Sequence, residues 1–325
     1  MLVLSEAEVR ELLPAADLVD VMEQALAAFS SGQVNQPVRT ALDVGPDRGF
    51  FAVMPASLST PAAVGAKLVT VFGNNAGRGL PTHHATILLL DPETGAPAAL
   101  MDGRYITAAR TAAVSAVAIR HLARANSAVL SILGSGVQAR SHAECLCQMK
   151  SFREVRAWSP TPEHLARFVA DAASLTSATI QRAATAEEAV RGATVVVLAT
   201  SSATPVVQSQ WIGPGTLVIS LGAYRPEMRE MDPVLVARAR VIVDSRAAAL
   251  VEAGDIVQGI REGRFSAAHI VGELAEVVLG RISGRGSADD VVIFKSLGMA
   301  VEDLAAARLA YQRAHENGMG REIAI

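Results

Sequence analysis

The chain has 325 residues, of which 50% are hydrophobic, 19% are charged and 4% are aromatic, and its formal net charge is −3. This length allows two domains with separate cores, and the near-neutral charge argues against nucleic acid as the main partner. No stretch reaches 18 uninterrupted apolar residues, and the opening MLVLSEAEVRELL carries acids where a signal peptide needs a basic start. We therefore expect a cytoplasmic protein without a membrane partner.

The front of the chain predicts helices followed by a β-rich segment. Ser5 and Glu8 have the spacing of a capping box, and apolar residues recur at helical intervals from Leu18 to Phe29. From Asn35 to about Asp91, short apolar runs alternate with turns that contain glycine and proline, as is typical of strands. The predicted strands are Phe50–Met54, Val64–Phe72 and Ala85–Leu90.

Three polar features of this segment are candidates for function. Lys67 interrupts the apolar run VGAKLVTVF, so it lies either at a solvated sheet edge or in a pocket, and the pattern leaves both open. Thr82, His83 and His84 come directly before the apolar run ATILLLD. Arg39 follows Pro37 and Val38, and a lone arginine of this kind is more often an ordinary solvated charge.

The segment from Gly103 to Ala125 predicts a long helix that is rich in small residues. Arg110 is its only charge between Arg104 and Arg120. Its side chain either leaves the apolar bulk toward a polar site or lies along an exposed helix face, and the pattern leaves both readings open.

The stretch SAVLSILGSGVQA, from Ser127 to Ala139, is the most informative part of the chain. An apolar strand ends in Gly134-Ser135-Gly136, and a helix begins directly after this turn. Glycines here let a pyrophosphate approach the main chain and meet the N–H groups of Val137 and Gln138 at the positive end of the helix. Ala139 fills the third position of the G-x-G-x-x-A pattern, which is typical of dinucleotide-binding folds. The alternative is a glycine turn in another α/β fold.

The region after the turn continues in an alternating strand and helix pattern. Five strand candidates predict a Rossmann-type doubly wound parallel sheet, which makes the fold class α/β. They are Val129–Leu133, Glu154–Trp158, Ala193–Ala199, Thr216–Gly222 and Arg240–Asp244. Cys145 and Cys147 lie two residues apart on a predicted helix and point to different sides, so we interpret them as packing residues and expect no metal site.

Several stretches together resemble the ornithine cyclodeaminase/mu-crystallin family, and within it the mu-crystallin branch. They are LPTHHATILLLD, MDGRYITAARTAAVSAVA, ILGSGVQARSH, FREVRAWSPTPEHLARF, VDSRAAALVEAGD and VIFKSLGMAVEDLAAA. The resemblance covers about Arg39 to Ala306 and is specific for the family. It implies a Rossmann domain over 119–302, inserted into a discontinuous α+β substrate-binding and dimerisation domain over 1–118 and 303–325.

The resemblance also implies roles for individual residues. Arg39 and Arg110 would hold a substrate carboxylate, Lys67 would lie beside the reacting nitrogen, and His83 and Tyr224 would add substrate contacts. Arginine forks suit two-point binding of a carboxylate, and a buried lysine can exchange a proton. Nucleotide contacts would come from Thr82, Arg110, Gly134, Gly136, Val137, Gln138, Ala139, Ser159, Thr161, Thr200, Gly222, Ala223 and Lys295.

Two departures from the family pattern refine these expectations. Cyclodeaminases carry an aspartate after the glycine that follows the fifth strand, whereas Tyr224 follows Gly222 and Ala223 here. The strand that should end in an acid for the ribose 2′-hydroxyl ends instead in Trp158-Ser159-Pro160-Thr161. We therefore expect NADP(H) to be favoured and NAD(H) to remain possible, with His164 or Arg167 as candidate cationic partners of the 2′-phosphate.

The expected function is NAD(P)H-dependent reduction of cyclic ketimine acids of the pyrroline-2-carboxylate or piperideine-2-carboxylate type. The products would be proline- or pipecolate-type amino acids. The alternatives are an amino-acid dehydrogenase or N-substituted amino acid synthase, then ornithine cyclodeaminase, then a non-catalytic NADPH-binding protein. The apolar front strands, from Asn35 to Leu90, lead us to expect a homodimer.

Overall fold

The computed structural model describes residues 1–45, 49–174, 176 and 178–324. The chain divides into two compact units, the first formed by Met1–Arg110 with Met299–Ile325 and the second by Thr111–Gly298. The sequence predicted the second unit over 119–302, so both of its expected boundaries lie later in the chain than those of the structure. The assignment of substrate binding and dimerisation to the first unit stays a prediction.

The elements are numbered in chain order. The strands are β1 (Leu2–Leu4), β2 (Val34–Asn35), β3 (Thr40–Asp43), β4 (Phe50–Leu58), β5 (Ala63–Val71), β6 (His83–Leu90), β7 (Pro97–Asp102), β8 (Val129–Leu133), β9 (Glu154–Trp158), β10 (Thr179–Arg182), β11 (Val195–Leu198), β12 (Leu217–Ser220), β13 (Arg240–Val243), β14 (Ile270–Glu273), β15 (Val292–Lys295) and β16 (Arg321–Glu322). The α-helices are α1 (Glu6–Leu12), α2 (Ala15–Ser30), α3 (Gly103–Leu122), α4 (Val137–Met149), α5 (Pro162–Ala173), α6 (Ala186–Val190), α7 (Pro233–Arg238), α8 (Arg246–Glu252), α9 (Gly254–Arg261), α10 (Leu274–Val278) and α11 (Ala300–Asn317). Short 3-10 helices lie at Gly73–Arg78, Ser209–Trp211 and Ala267–His269.

The first unit is a mixed sheet whose inner face is covered by helices. Its strand order is β16-β1-β7-β6-β5-β4-β2, with β3 also paired to β4. Neighbouring strands are antiparallel except for β1 and β7. Helix α11 packs on β4, β5 and β6, and α2 packs on α11. The capping box predicted at the start of the chain is confirmed, because Ser5 and Glu8 cap α1 reciprocally.

The second unit is built on a fully parallel sheet, with strand order β10-β9-β8-β11-β12-β15-β13-β14. All five predicted strands are present, so the Rossmann-type prediction is confirmed. Three strands of this sheet were not predicted from the sequence, namely β10, β14 and β15. The first two are short sheet edges, and β10 is mostly exposed, so neither has a long apolar run.

Two further sequence predictions concern the helices. Cys145 is buried in α4, Cys147 is half-buried, and both thiols are free. Across the ranges that the structure describes, no helix is long and apolar enough to cross a membrane.

Candidate functional site

Lys67 lies in the interior of the first unit and not at a solvated edge. Its strand β5 is paired on both sides, with Met54 and Ile87 as its direct neighbours on β4 and β6. All three side chains are buried, and Lys67 is only 3% exposed. The strand alternation therefore directs this ammonium toward the helical layer, which resolves the two readings that the sequence left open.

Arg110 is likewise buried, at 4% exposure, and does not lie along an exposed helix face. Its Nε donates to Asp303 Oδ1 at 2.9 Å, and its Nη1 donates to Glu302 Oε2 at 2.8 Å. The long helix α3 thus delivers a guanidinium to the first turn of α11. Charge-assisted bonds of this kind fix the orientation of an arginine.

Asp303 joins the two cations. Its Oδ2 lies 2.5 Å from the Lys67 ammonium, while its Oδ1 accepts the bond from Arg110. The start of α11 is itself held in place, because Val301 N donates to Gln36 Oε1 and Met299 N donates to Glu302 Oε2. The positive end of the helix dipole favours carboxylates at this position.

The electrostatics of this cluster prepare Lys67 to exchange a proton. Burial lowers the pKa of Lys67 to about 8, with Arg110 and Arg39 acting in the same direction and Asp303 opposing them. Burial alone would raise the pKa of Asp303, but the charges of Arg110 and Lys67 outweigh it, and the pKa is lowered. Near neutral pH this site therefore holds an ionised carboxylate beside an ammonium that can lose its proton.

The other predicted residues of the first unit surround this cluster less tightly. Arg39 is half-buried directly before β3, and its charge contributes to the field at Lys67. His83 opens β6 and is half-buried; burial and the nearby Lys67 lower its pKa to about 4, so its imidazole is neutral at pH 7. Thr82 is exposed, and its carbonyl accepts from Phe72 N.

The glycine turn of the second unit has the geometry of an anion cradle. Gly134 has φ +118°, and a Cβ there would lie 2.3 Å from the carbonyl oxygen of Ala199, so only glycine fits. Gly136 is the exposed N-cap of α4, with nothing within 4 Å of the position of a Cβ. Ala139 is fully buried against the core. The open space before the helix and its N–H groups fit the pyrophosphate of a dinucleotide.

The other residues predicted to contact a nucleotide in this part of the chain lie at the start of α4 and after β9. Val137 is exposed and Gln138 is half-buried in the first turn of α4. Ser159 follows β9, is buried, and its hydroxyl lies 2.9 Å from that of Ser135 in the glycine turn. Thr161 is the half-buried N-cap residue of α5.

A second buried charge cluster lies at the carboxyl ends of β11, β12 and β15. Glu230 accepts from Thr200 N and Oγ1, from Gly222 N at 2.7 Å, and from Ser220 Oγ. These bonds hold the loops after β11 and β12 to one carboxylate. In an open α/β sheet, ligands bind at this end of the strands.

Lys295, which was predicted to contact a nucleotide, also belongs to this cluster. Its side chain is fully buried, its Nζ donates to Ser220 Oγ at 3.0 Å, and it lies 3.7 Å from Asp255 Oδ2. Asp255 in turn accepts from the main-chain N–H groups of Glu230 and Met231. These partners hold the ammonium at the end of β15, and its contact with a nucleotide stays a prediction.

Ala223 and Tyr224 follow Gly222 in the same unit. Ala223 is buried, its carbonyl accepts from Gly254 N, and Tyr224 N donates to the carbonyl of Gly222. The Tyr224 side chain is half-buried. Gln258 donates to the carbonyls of Pro226 and Met228, so the loop that carries Tyr224 is held by α9.

Sequence reasoning missed four carboxylates of these clusters, namely Glu302 and Asp303 in the first unit and Glu230 and Asp255 in the second. Acids in the first turn of a helix are ordinary dipole partners, so Glu302 and Asp303 carried no special signal. The available clue was that this acidic pair directly precedes the apolar run Leu304–Ala307 in an alanine-rich helix.

Comparisons with known proteins identify the family to which this chain is similar. The family model described as "Ornithine cyclodeaminase/mu-crystallin family" matches residues 1–318. The "Ketimine reductase mu-crystallin" of Rattus norvegicus is 43% identical over 312 residues, covering 95% of this chain and 96% of that protein. The structure of Thermococcus litoralis Delta(1)-pyrroline-2-carboxylate reductase with NADH and L-proline has a TM-score of 0.97 and 36% identity, covering 99% of this chain and 100% of that one. An archaeal alanine dehydrogenase dimer with bound NAD has a TM-score of 0.93 and 32% identity, covering 100% and 99%.

Proposed function

Because the chain belongs to the ornithine cyclodeaminase/mu-crystallin family, we propose that it is an NAD(P)H-dependent reductase of cyclic ketimine acids. The substrates would be of the pyrroline-2-carboxylate or piperideine-2-carboxylate type, and the products would be proline- or pipecolate-type amino acids. The observation that carries the proposal is the buried pair of Lys67 and Arg110, held side by side by Asp303. In a cyclic ketimine acid, the carboxylate lies next to the imine nitrogen. A guanidinium can bind the carboxylate while a nearby ammonium contacts the nitrogen.

In this proposal each residue has one task. Arg110 and Arg39 bind the substrate carboxylate, and this binding orients the C=N bond. A bound reduced nicotinamide supplies the hydride for the imine carbon. Lys67 Nζ gives a proton to the imine nitrogen as the C=N pair moves onto it. The neutral imidazole of His83 offers a polar contact without adding charge.

The experiment that tests this proposal is oxidation of NADPH and NADH with a panel of cyclic ketimines and open-chain 2-oxo acids plus amines. We expect turnover with a cyclic ketimine carboxylate and the corresponding cyclic amino acid as product. Turnover confined to a 2-oxo acid plus ammonia or an amine would replace the proposal with an amino-acid dehydrogenase or N-substituted amino acid synthase. The alanine dehydrogenase neighbour favours this second candidate.

Two further alternatives have their own discriminating results. A cyclodeaminase would consume ornithine with release of ammonia, but Tyr224 stands where those enzymes carry an aspartate. A non-catalytic binder would bind NADPH without turnover of any substrate in the panel. The retained set of Arg39, Lys67 and Arg110 disfavours that reading, since a binder has no need of a proton-exchanging lysine.

We also propose that NADPH is the preferred nucleotide. Ser159 and Thr161 stand where an acid would repel a 2′-phosphate, and Ser135 adds a hydroxyl beside Ser159. Ser159→Asp should move the preference toward NADH by about tenfold or more in kcat/KM, because a carboxylate would face the phosphate. Thr161→Ser, which keeps a hydroxyl, is the matched control. A wild type that already prefers NADH tenfold would contradict the proposal.

A homodimer through the outer face of the first sheet is the assembly that we propose. Strand alternation leaves apolar side chains on this face, including Val53, Ala66 and Leu88, and Leu42 and Leu68 are 61% and 39% exposed. Light scattering of the wild type should give twice the chain mass at micromolar concentration. In Leu68→Glu the measured mass should fall to that of a single chain. A wild-type monomer that is active would contradict the proposal.

A further inference from the structure

We infer that Asp303 is a positioning residue of the proposed imine-reduction site, holding the Lys67 ammonium and the Arg110 guanidinium side by side and keeping a proton on Lys67 for transfer to the substrate nitrogen. The inference rests on the proposed function. It is carried by geometry, because the two oxygens of one buried carboxylate reach the two cations at 2.5 Å and 2.9 Å.

Within the described residues, the titratable groups that act on Lys67 belong to four parts of the chain. Asp303 faces it from α11, Arg110 from α3, Arg39 from the segment before β3, and His83 from β6. Burial and the two arginines disfavour the charged form of Lys67, and the neutral His83 imidazole does not offset them. Asp303 is the carboxylate that contacts the ammonium, so its removal should leave Lys67 unprotonated at a lower pH.

The neighbouring acid Glu302 provides a contrast. Its carboxylate bonds Arg110 and the helix terminus, whereas the ion pair with Lys67 is made by Asp303. The two adjacent residues thus divide the work: Glu302 orients the guanidinium, and Asp303 orients both cations. A change at either position should affect carboxylate docking, but a change at Asp303 should also affect the proton.

The proton step balances without any change at Asp303. Hydride from the reduced nicotinamide forms the new C–H bond, and the C=N π pair moves to nitrogen. That pair forms an N–H bond with a proton from Lys67 Nζ, which becomes a neutral amine and regains a proton from water. Asp303 stays ionised throughout, so it acts on the reaction only through Lys67 and Arg110.

The decisive experiment is the pH profile of kcat/KM in Asp303→Asn, with Glu302→Gln as the matched control. We expect the alkaline limb of the wild type near the pKa of Lys67, about 8, and a limb at least one pH unit lower in Asp303→Asn. Glu302→Gln should raise KM but leave the limb in place. A limb that stays at the wild-type pH in Asp303→Asn overturns the inference.

A second variant separates charge from packing. Asp303→Glu keeps the charge but lengthens the side chain, so we expect a lower kcat with the alkaline limb close to its wild-type position. This variant also keeps the test decisive if Asp303→Asn does not fold. A limb displaced in Asp303→Glu by a full pH unit would assign the effect to disrupted packing and overturn the inference.

A substrate-independent measurement distinguishes failure of the inference from failure of the proposed function. The difference in Tm between chains with and without Lys67→Met should change with pH around 8, and around a lower pH in the Asp303→Asn background. If this shift appears but no ketimine is reduced, the proposed function fails and the coupling of Asp303 to Lys67 stands. If ketimines are reduced but the shift is missing, the inference alone fails.

Discussion

Each unit buries a cluster of charges, and the two clusters have opposite balances. In the first unit, Lys67 and Arg110 face Asp303 and Glu302, with Arg39 adding a further positive charge. In the second unit, Lys295 faces the two carboxylates Glu230 and Asp255. One cluster is therefore rich in cations, and the other is rich in carboxylates.

The charge balance of the two clusters shifts the pKa values of their carboxyl groups in opposite directions. The pKa of Asp303 is lowered because two cations outweigh its burial. The pKa values of Glu230 and Asp255 are raised, since burial of both groups exceeds the effect of the single Lys295. A buried cluster with surplus positive charge can receive an anionic substrate, whereas one with surplus carboxylates and complete hydrogen bonds fixes loops.

The largest effect should come from the lysine of the cation-rich cluster. Lys67→Ala should lower kcat by about 100-fold to 10,000-fold, because the imine nitrogen loses its proton donor. The Kd for NADPH, measured by fluorescence titration, should stay within about twofold, since the glycine turn lies in the other unit. Wild-type kcat in this variant would remove Lys67 from the mechanism and leave protonation by solvent.

The lysine of the carboxylate-rich cluster should matter for stability instead. Lys295→Met leaves Glu230 and Asp255 buried without a cation, so the free energy of unfolding should fall by about 3 kcal/mol or more. Lys67→Met is the matched control, with a smaller expected loss because Arg110 still neutralises Asp303. Urea denaturation of both variants measures this difference. Equal losses would show that charge balance does not distinguish the clusters.

Arg110→Ala should separate docking from proton transfer within the first cluster. The substrate carboxylate loses an anchor, so KM should rise by about 100-fold, with a smaller fall in kcat from misorientation. Steady-state kinetics with the best ketimine test this expectation, beside Lys67→Ala. A variant in which kcat falls and KM does not change would place Arg110 in the chemical step.

The two clusters should also respond to pH with opposite signs. The pKa of Lys67 is lowered to about 8, so the unfolded chain binds the extra proton above that pH, and the contribution of Lys67 to stability rises by about 1 kcal/mol from pH 7 to 9. The raised pKa of Glu230 means that its contribution is complete at low pH and is lost as pH rises. Thermal unfolding of Lys67→Met and Glu230→Gln against the wild type measures both slopes. Slopes of the same sign would contradict the comparison.

Local patterns in the sequence predicted much of the fold. The capping box at Ser5, the glycine turn at Gly134 and five of the eight strands of the parallel sheet depend on residues close together in the chain, and these predictions are confirmed. The strand β15 was missed although Val292, Ile293 and Phe294 form an apolar run, and no local pattern places it between β12 and β13, which both precede it in the chain. Order within a sheet is set by packing, which no local pattern contains.

Only part of the candidate site could be predicted from local sequence patterns. Lys67 and Arg110 stood out as charges within apolar segments, but their burial was undecided until β5 proved to be a central strand. Asp303 lies 193 residues from Arg110, and the acidic pair in VEDLAAA indicates neither its burial nor its cationic partners. A charged residue within an apolar segment can be recognised from the sequence. Its partner Asp303 can be identified only from the three-dimensional structure.

The capping of α11 by Gln36 has a consequence for synthesis on the ribosome. Gln36, Lys67 and Arg110 emerge early, while Val301 and Asp303 emerge only after the whole second unit has been made. Until then the nascent first unit holds two cations with apolar neighbours and no carboxylate from α11. The second unit, continuous in the chain, is free to fold before the first is complete. A helix that is translated after the whole second unit therefore supplies both the closing element of the first core and the counter-charge of its cluster.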